Sequence, residues 1–453
     1  MYSLESPRKI AIDAVQNQID LYFKEINKLR SVQNSHVPIS GLPAELLSEV
    51  FLYIVESSLR DDGLGFAWGA FKFRQVCERW NEVAIEFPKL WVWWMSGASK
   101  VWDLFNARSK GAPISLTWRL RCAEAPVYNA IMEDPTIPDR IRTLDFAGTN
   151  DQLEDLLSAF SSSRSSNASS IRLHVIQYNG RGPQKHTTAF LSLPFPKLSK
   201  LDINNSLPDS SSLIFTTSNL VSLRLGIPYG DKSCYTRSQF SKILQRHPNL
   251  QELHLWQGGM PQVEPLEPLI PVVLPRLVDL KLYGTEAVIA GFMDLISTSS
   301  PLHNVIIDFG SASTTAAPAL ADAVRKFLAL YYECQGLDYP RMADRLTVSL
   351  DSGPRGLLVI NTASHSTSAS HPSSDLELRF GGADKILAGE ICLLFPLDQV
   401  VEFSAIGLHL LRPRYREIYG KMESLLHLRL DKMDPGPVMG ALCMDDDEIG
   451  GVW

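Results

Sequence analysis

A short motif recurs along the C-terminal two-thirds of this chain: an apolar residue, two variable ones, an apolar residue, one variable, and a third apolar residue. Clear copies are Ile141-Leu144-Phe146, Leu198-Leu201-Ile203, Leu220-Leu223-Leu225, Leu250-Leu253-Leu255, Leu277-Leu280-Leu282, Leu302-Val305-Ile307 and Leu425-Leu428-Leu430. Weaker copies centre on Ile176, Leu346, Leu376 and Phe403. The central positions advance by 22 to 32 residues, apart from one interval of 41 between Val305 and Leu346. A segment that short holds one strand and one helix or loop. It cannot bury its own apolar face, so successive copies must stack on each other. Strands separated by crossovers of this length run parallel. The spacing therefore predicts an α/β solenoid over residues 140–433, with parallel strands on the concave face and helices or loops on the convex face. Helical stretches are expected at 151–160, 238–245, 287–296 and 413–421, with 316–335 filling the long interval.

The period resembles that of leucine-rich repeats, and the Pro-x-Leu openings at Pro196, Pro248 and Pro275 are similar to those of the degenerate repeats of fungi and plants. The Asn that usually closes the strand motif is mostly missing, so the resemblance implies an irregular solenoid. Alternating side chains on a strand face opposite ways, and adjacent strands lie about 4.8 Å apart. If the motif centres are in register, Arg224, His254 and Lys281 form a row beside Trp256 and Tyr283, with Asp202 next in line. Aromatic and arginine side chains dominate binding hot spots, which makes Asp202, Arg224, His254, Trp256, Lys281 and Tyr283 candidates for holding a protein target on the concave face. The other reading of Trp256 and Tyr283 is that they cover the edge of the core.

Ahead of the repeats lie two apolar helical patterns. Residues 38–54 carry Leu46, Leu47, Val50, Phe51 and Ile54 at helical spacing, with Pro43 in the opening turn, where its missing N–H costs little. Leu52 and Tyr53 widen the apolar surface further. A second helix is expected from Phe73 through Val76, Trp80 and Val83 to Phe87, ended by Pro88. A unit of this size cannot cover such helices on every side. Leu42-Pro43-x-Glu45-Leu46-Leu47, Val76-Cys77-x-x-Trp80 and Pro88-Lys89-Leu90-Trp91 resemble the F-box, in particular the F-box-like form of fungal proteins. The resemblance covers 38–94 and implies a three-helix domain over 36–95. It also implies that Leu42, Pro43, Leu46, Leu47, Val50, Phe51, Val76 and Trp80 dock the Skp-type adaptor of a cullin–RING ubiquitin ligase. The rest of such a chain selects the substrate. The stretch 59–70 is longer than a compact F-box needs.

Residues 10–30 place Ile12, Val15, Ile19, Tyr22, Ile26 and Leu29 at intervals of 3, 4, 3, 4 and 3, a heptad stripe on an amphipathic helix over 1–35. The stripe suits packing on the chain's own domains, pairing with a second copy, or engaging another protein. Residues 96–139 read as an irregular connection, and 434–453 as a flexible acidic tail around Asp445–Glu448. The Ser-rich stretches 158–170 and 361–374 read as exposed loops. The net charge of −7 argues against a broad phosphate-binding surface, so nucleic acid is not an expected partner. No apolar run reaches membrane-spanning length, and no secretory signal core is present. The six cysteines lie far apart, without metal-ligand spacing, which fits a reducing cytosolic or nuclear setting. Phosphate-loop, zinc-protease, nucleophile-elbow and EF-hand signatures are absent, and His365 and His371 share only a Ser-rich loop. The expectation is thus a non-catalytic receptor without cofactor or metal, the substrate-recognition subunit of an SCF-type ligase. The alternatives are an adaptor-binding scaffold outside degradation and a plain leucine-rich-repeat binding module.

Overall fold

A computed structural model describes residues 7–61, 68–95, 102–119, 136–149, 167–175, 195–205, 208–216, 220–226, 235–256, 270–299, 302–309, 345–351, 357–363, 375–381, 402–406 and 412–431, with isolated positions between them. The chain divides into two compact units, Met1–Asp134 and Pro135–Trp453. The acidic run Asp445–Glu448, the histidine loop at 365–371, all of 158–166 and most of 316–335 lie outside the described residues; within 316–335, the described positions 322, 324–326 and 328 are helical. Within 434–453, expected as a flexible tail, the described positions 435, 437 and 438 are helical and Val438 is fully buried, so the start of that segment packs on the fold.

The N-terminal unit holds α1 (Pro7–Ser35), α2 (Ala44–Asp61), α3 (Glu78–Glu86), α4 (Trp102–Ser109) and a parallel strand pair, β1 (Trp93–Met95) and β2 (Ile114–Arg119). The middle segment that the F-box resemblance implies as a helix is 3₁₀, from Trp68 to Gln75. The expected continuous helix from Phe73 to Phe87 is accordingly broken. Cys77 is fully extended at φ −158° and ψ 168°, and α3 starts only after it. The break lets the 3₁₀ segment turn Phe71 and Phe73 inward at a spacing that one α-helix face does not offer. Phe51 stacks on Phe73 with centroids 4.1 Å apart, and Phe71 meets both Trp91 and Phe105. Arg74 and Arg108 lie over the Trp91 ring at 5.2 and 4.5 Å. The Trp91 indole N–H donates to the Ala84 carbonyl at 2.7 Å, which closes α3 onto this aromatic core. The supposed linker from 96 onwards therefore contains a helix and a strand. Ile114, Leu116 and Trp118, all buried, alternate along β2.

The second unit is mixed α/β. Its strands are β3 (Ile141–Gly148), β4 (Ser170–Val175), β5 (Lys200–Asn204), β6 (Ser222–Gly226), β7 (Glu252–Trp256), β8 (Val272–Val273), β9 (Asp279–Tyr283), β10 (Ile296–Ser297), β11 (Asn304–Asp308), β12 (Arg345–Asp351), β13 (Leu357–Ala363), β14 (Asp375–Gly381), β15 (Glu402–Ile406) and β16 (His427–Asp431). From β3 to β11 the main sheet is parallel and follows chain order, passing over the separate β8–β10 pair. Motif centres sit in register: Leu201, Leu223, Leu253, Leu280 and Val305 are successive partners. Helix α5 (Arg237–Gln245) joins β6 to β7, α6 (Glu286–Met293) follows β9, and α7 (Arg412–Gly420) precedes β16. Helix α5 opens with a reciprocal capping box between Thr236 and Gln239. It buries Phe240, Ile243 and Leu244, and Phe240 meets Phe292 of α6 edge-on at 5.9 Å.

Two expectations are corrected here. The copy assigned to Ile176 belongs at Ala168-Ile171-Leu173, because Ile171 pairs with Leu144 on one side and Leu201 on the other. A small Ala in the leading position, inside a Ser-rich run, hides that copy. The strands are also not all parallel or in chain order. Past β11 the sheet continues β14, β13, β12, β15, β16, and β13 runs antiparallel to both neighbours. Only residues 352–356 separate β12 from β13, too few for a crossover, so the chain must double back as a hairpin.

Candidate functional site

Two surfaces emerge. The first lies on the N-terminal unit, where the apolar width of α2 resolves into two faces. Leu47, Phe51 and Val55 recur every fourth residue and are fully buried. Leu46, Val50 and Ile54, one residue earlier in each turn, are 55%, 37% and 37% exposed, and Tyr53 beside them is 73% exposed. Leu47 and Phe51 were both expected at an adaptor interface. They are instead the unit's own core, because Phe51 is wedged between Phe73 and Trp80. Trp80 is half-buried, Leu42 is half-buried, and Pro43 and Val76 are exposed. An Arg79 guanidinium N–H donates to the Leu42 carbonyl and ties the start of α2 to α3. The Asn34 amide donates to the Val76 carbonyl at 2.7 Å and anchors the end of α1. Beyond that anchor α1 is solvent-exposed along its length, so packing on the chain's own domains is not what the described residues display.

The second surface is the face of the main sheet on the side away from the buried motif leucines. Asp202, Arg224, His254 and Lys281 are partners in one lateral row, and Trp256 pairs with Tyr283 in the next. The Trp256 and Tyr283 rings stack at 5.4 Å and 7°. Gly226 makes room for the indole: a Cβ there would lie 2.6 Å from Asn204 Oδ1 and 3.2 Å from Trp256 Cε3. His254 departs from expectation. It is only 3% exposed, roofed by its neighbours, with Nε2 3.2 Å from Asp279 Oδ1. That contact falls outside straight hydrogen-bond geometry. His254 thus supports the row and does not line it.

Charges alternate across the strands. Arg172 bridges Asp145 at 3.7 Å and Asp202 at 3.2 Å, Arg224 reaches Glu252 at 3.3 Å, and Lys281 reaches Asp279 at 3.8 Å. Burial would push Asp279 up, but the His254 ring nitrogen close beside it, with help from Lys281 and Asn304, outweighs it and holds the carboxyl below its ordinary value. Asp202 goes the other way: burial raises it by more than Arg172 and Arg224 take back. The sequence pattern puts the acids Glu252 and Asp279 on this face without marking them as binding residues, and it did not reveal the bridging Arg172. Placing the fourth-strand copy at Ala168-Ile171-Leu173 would have pointed to Arg172. Among the described residues no cluster of three or more His, Cys, Asp or Glu side chains could hold a metal ion, and no helix is long and apolar enough to cross a membrane.

No family model matches the chain, and no curated protein matches it significantly.

Proposed function

We propose that this chain is a non-catalytic substrate receptor of an SCF-type ubiquitin ligase. An F-box-like unit docks a Skp-type adaptor, and a degenerate leucine-rich-repeat sheet presents Arg224, Lys281, Trp256 and Tyr283 to a protein target. The observation that carries this reading is the double character of α2. One face is spent on the unit's own aromatic core, while Leu46, Val50 and Ile54 stand exposed on the other. An apolar face of that kind on a folded unit is what an obligate partner covers. The motif residues Leu42, Pro43, Val76 and Trp80 lie on the same unit. Function then follows from proximity: tethering a target raises the effective concentration of its lysines at the transfer site, with no chemistry required of this chain.

The test is co-expression of the full chain with a Skp-type adaptor. The wild type should co-purify with it, and a Leu46→Asp/Val50→Asp variant should lose the adaptor while keeping its urea midpoint. Failure of the wild type to hold the adaptor, or undiminished binding by the folded variant, rejects the reading. Trp256→Ala/Tyr283→Ala should retain the adaptor and lose co-purifying targets. A scaffold acting outside degradation would hold the adaptor without cullin.

A further inference from the structure

Helix α1 runs for 29 residues, about 43 Å at 1.5 Å per residue. Its heptad stripe from Ile12 to Leu29 is left between 40% and 68% exposed. An exposed apolar seam that long, held to its unit at the C-terminal end through Asn34, calls for an occupant. We infer that the occupant is a second copy of the same helix, and that two chains pair through α1 as a parallel, in-register, two-stranded coiled coil.

Three features of the helix select this partner. Writing Ile12 as heptad position a, all three a positions are β-branched (Ile12, Ile19, Ile26), and the d positions are Val15, Tyr22 and Leu29. Isoleucine at a favours two parallel strands, most clearly where d is Leu, as Leu29 is. Charge then fixes the direction. Glu25 falls at g and Arg30 at the e position five residues on, the pair that meets across a parallel dimer, once on each side of the two-fold axis. Both side chains are exposed. An antiparallel pair centred on the stripe would set Glu25 against Gln18 and bring Arg30 towards Lys9, a like charge. Finally, Phe23 at e and Val32 at g are 60% and 55% exposed and widen the seam on the flanks that a partner helix would cover. The stripe covers about two and a half heptads, so pairing is concentration-dependent, with a dissociation constant on the order of micromolar. Dimerisation would present two copies of each downstream surface, and a target with two epitopes would be held with avidity.

Sedimentation equilibrium of the full chain alone tests this without any adaptor, so its outcome is separate from that of the docking experiment. From about 1 to 100 µM the mean mass should climb from 50.5 kDa towards twice that value. Ile26→Asp should hold it at the monomer mass. Glu25→Arg and Arg30→Glu should each weaken pairing about tenfold, and the combined swap should restore it to within about threefold of wild type. Ile12→Cys should form an intermolecular disulfide above the background of the wild-type cysteines; antiparallel helices would hold those positions about 25 Å apart. A monomer throughout the range overturns the inference. So does a dimer indifferent to Ile26→Asp, a swap that fails to rescue, or an Ile12→Cys chain that does not cross-link.

Discussion

The two faces of α2 can be separated by substitution, because one carries stability and the other does not. In the Phe51→Ala variant a fully buried ring is removed, together with its stack on Phe73 at 4.1 Å and its contact with Trp80 at 5.3 Å. Truncating a core Phe costs about 3–5 kcal/mol, which includes the cavity it leaves and the lost aromatic pairing. Leu46→Ala, one helical step round, removes a side chain already 55% exposed and should cost at most about 0.5 kcal/mol. The assay is urea denaturation followed by intrinsic fluorescence. Seven of the nine tryptophans (Trp68, Trp80, Trp91, Trp93, Trp94, Trp102 and Trp118) precede residue 134, so the signal reports mainly on the N-terminal unit. With a slope of about 2 kcal/mol per M, a loss of about 4 kcal/mol moves the midpoint down by about 2 M. Leu46→Ala should move it by less than about 0.3 M. Equal shifts for the two variants, or no shift for Phe51→Ala, would refute the division of α2 into a core face and a free face.

Gly226→Ala forces a methyl to within 2.6 Å of Asn204 Oδ1 and against the Trp256 ring, and should destabilise the second unit by about 1–3 kcal/mol in thermal melts. Thr236→Ala removes one arm of the α5 capping box and should cost about 1 kcal/mol in the same measurement, with Thr236→Ser recovering most of it. Asp279 and Asp202 should give acid limbs of opposite sign. The folded-state pKa of Asp279 is depressed, so its stabilisation is present above the unfolded value near about 3.9 and is lost as pH falls through the folded one. Asp202 is raised, so its contribution falls as pH rises past about 3.9. Midpoints against pH for Asp279→Asn and Asp202→Asn should therefore diverge from wild type in opposite directions, and parallel curves would contradict both assignments.

The six-residue strand motif made the sheet legible where each apolar position was Leu, Ile or Val. It placed Arg224, His254 and Lys281 in one row, and Trp256 beside Tyr283, because register follows the period of two along each strand. Burial within that row was not legible, since it depends on what neighbouring rings cover, and His254 shows this. The breadth of the apolar surface on α2 was visible, but periodicity cannot say which half of a wide stripe the chain itself will cover. The hairpin at β12–β13 escaped notice although Ser352-Gly353-Pro354-Arg355-Gly356 is a strong turn signal. The expectation of uninterrupted repeats outweighed it. Helix α4 and strand β2 were missed for a similar reason: three residues of alternation are too few to stand out between tryptophans and prolines.

The doubling-back at β14–β13–β12 also governs how the second unit comes apart. Where strands follow chain order, an end can fray one strand at a time, each loss costing only the next contact. Here β15 and β16 rest on β12, which β13 and β14 join to β11. A cut just before β12 would therefore remove the last five strands together and bare the β11 edge, whereas trimming β16 alone would leave the remainder stitched.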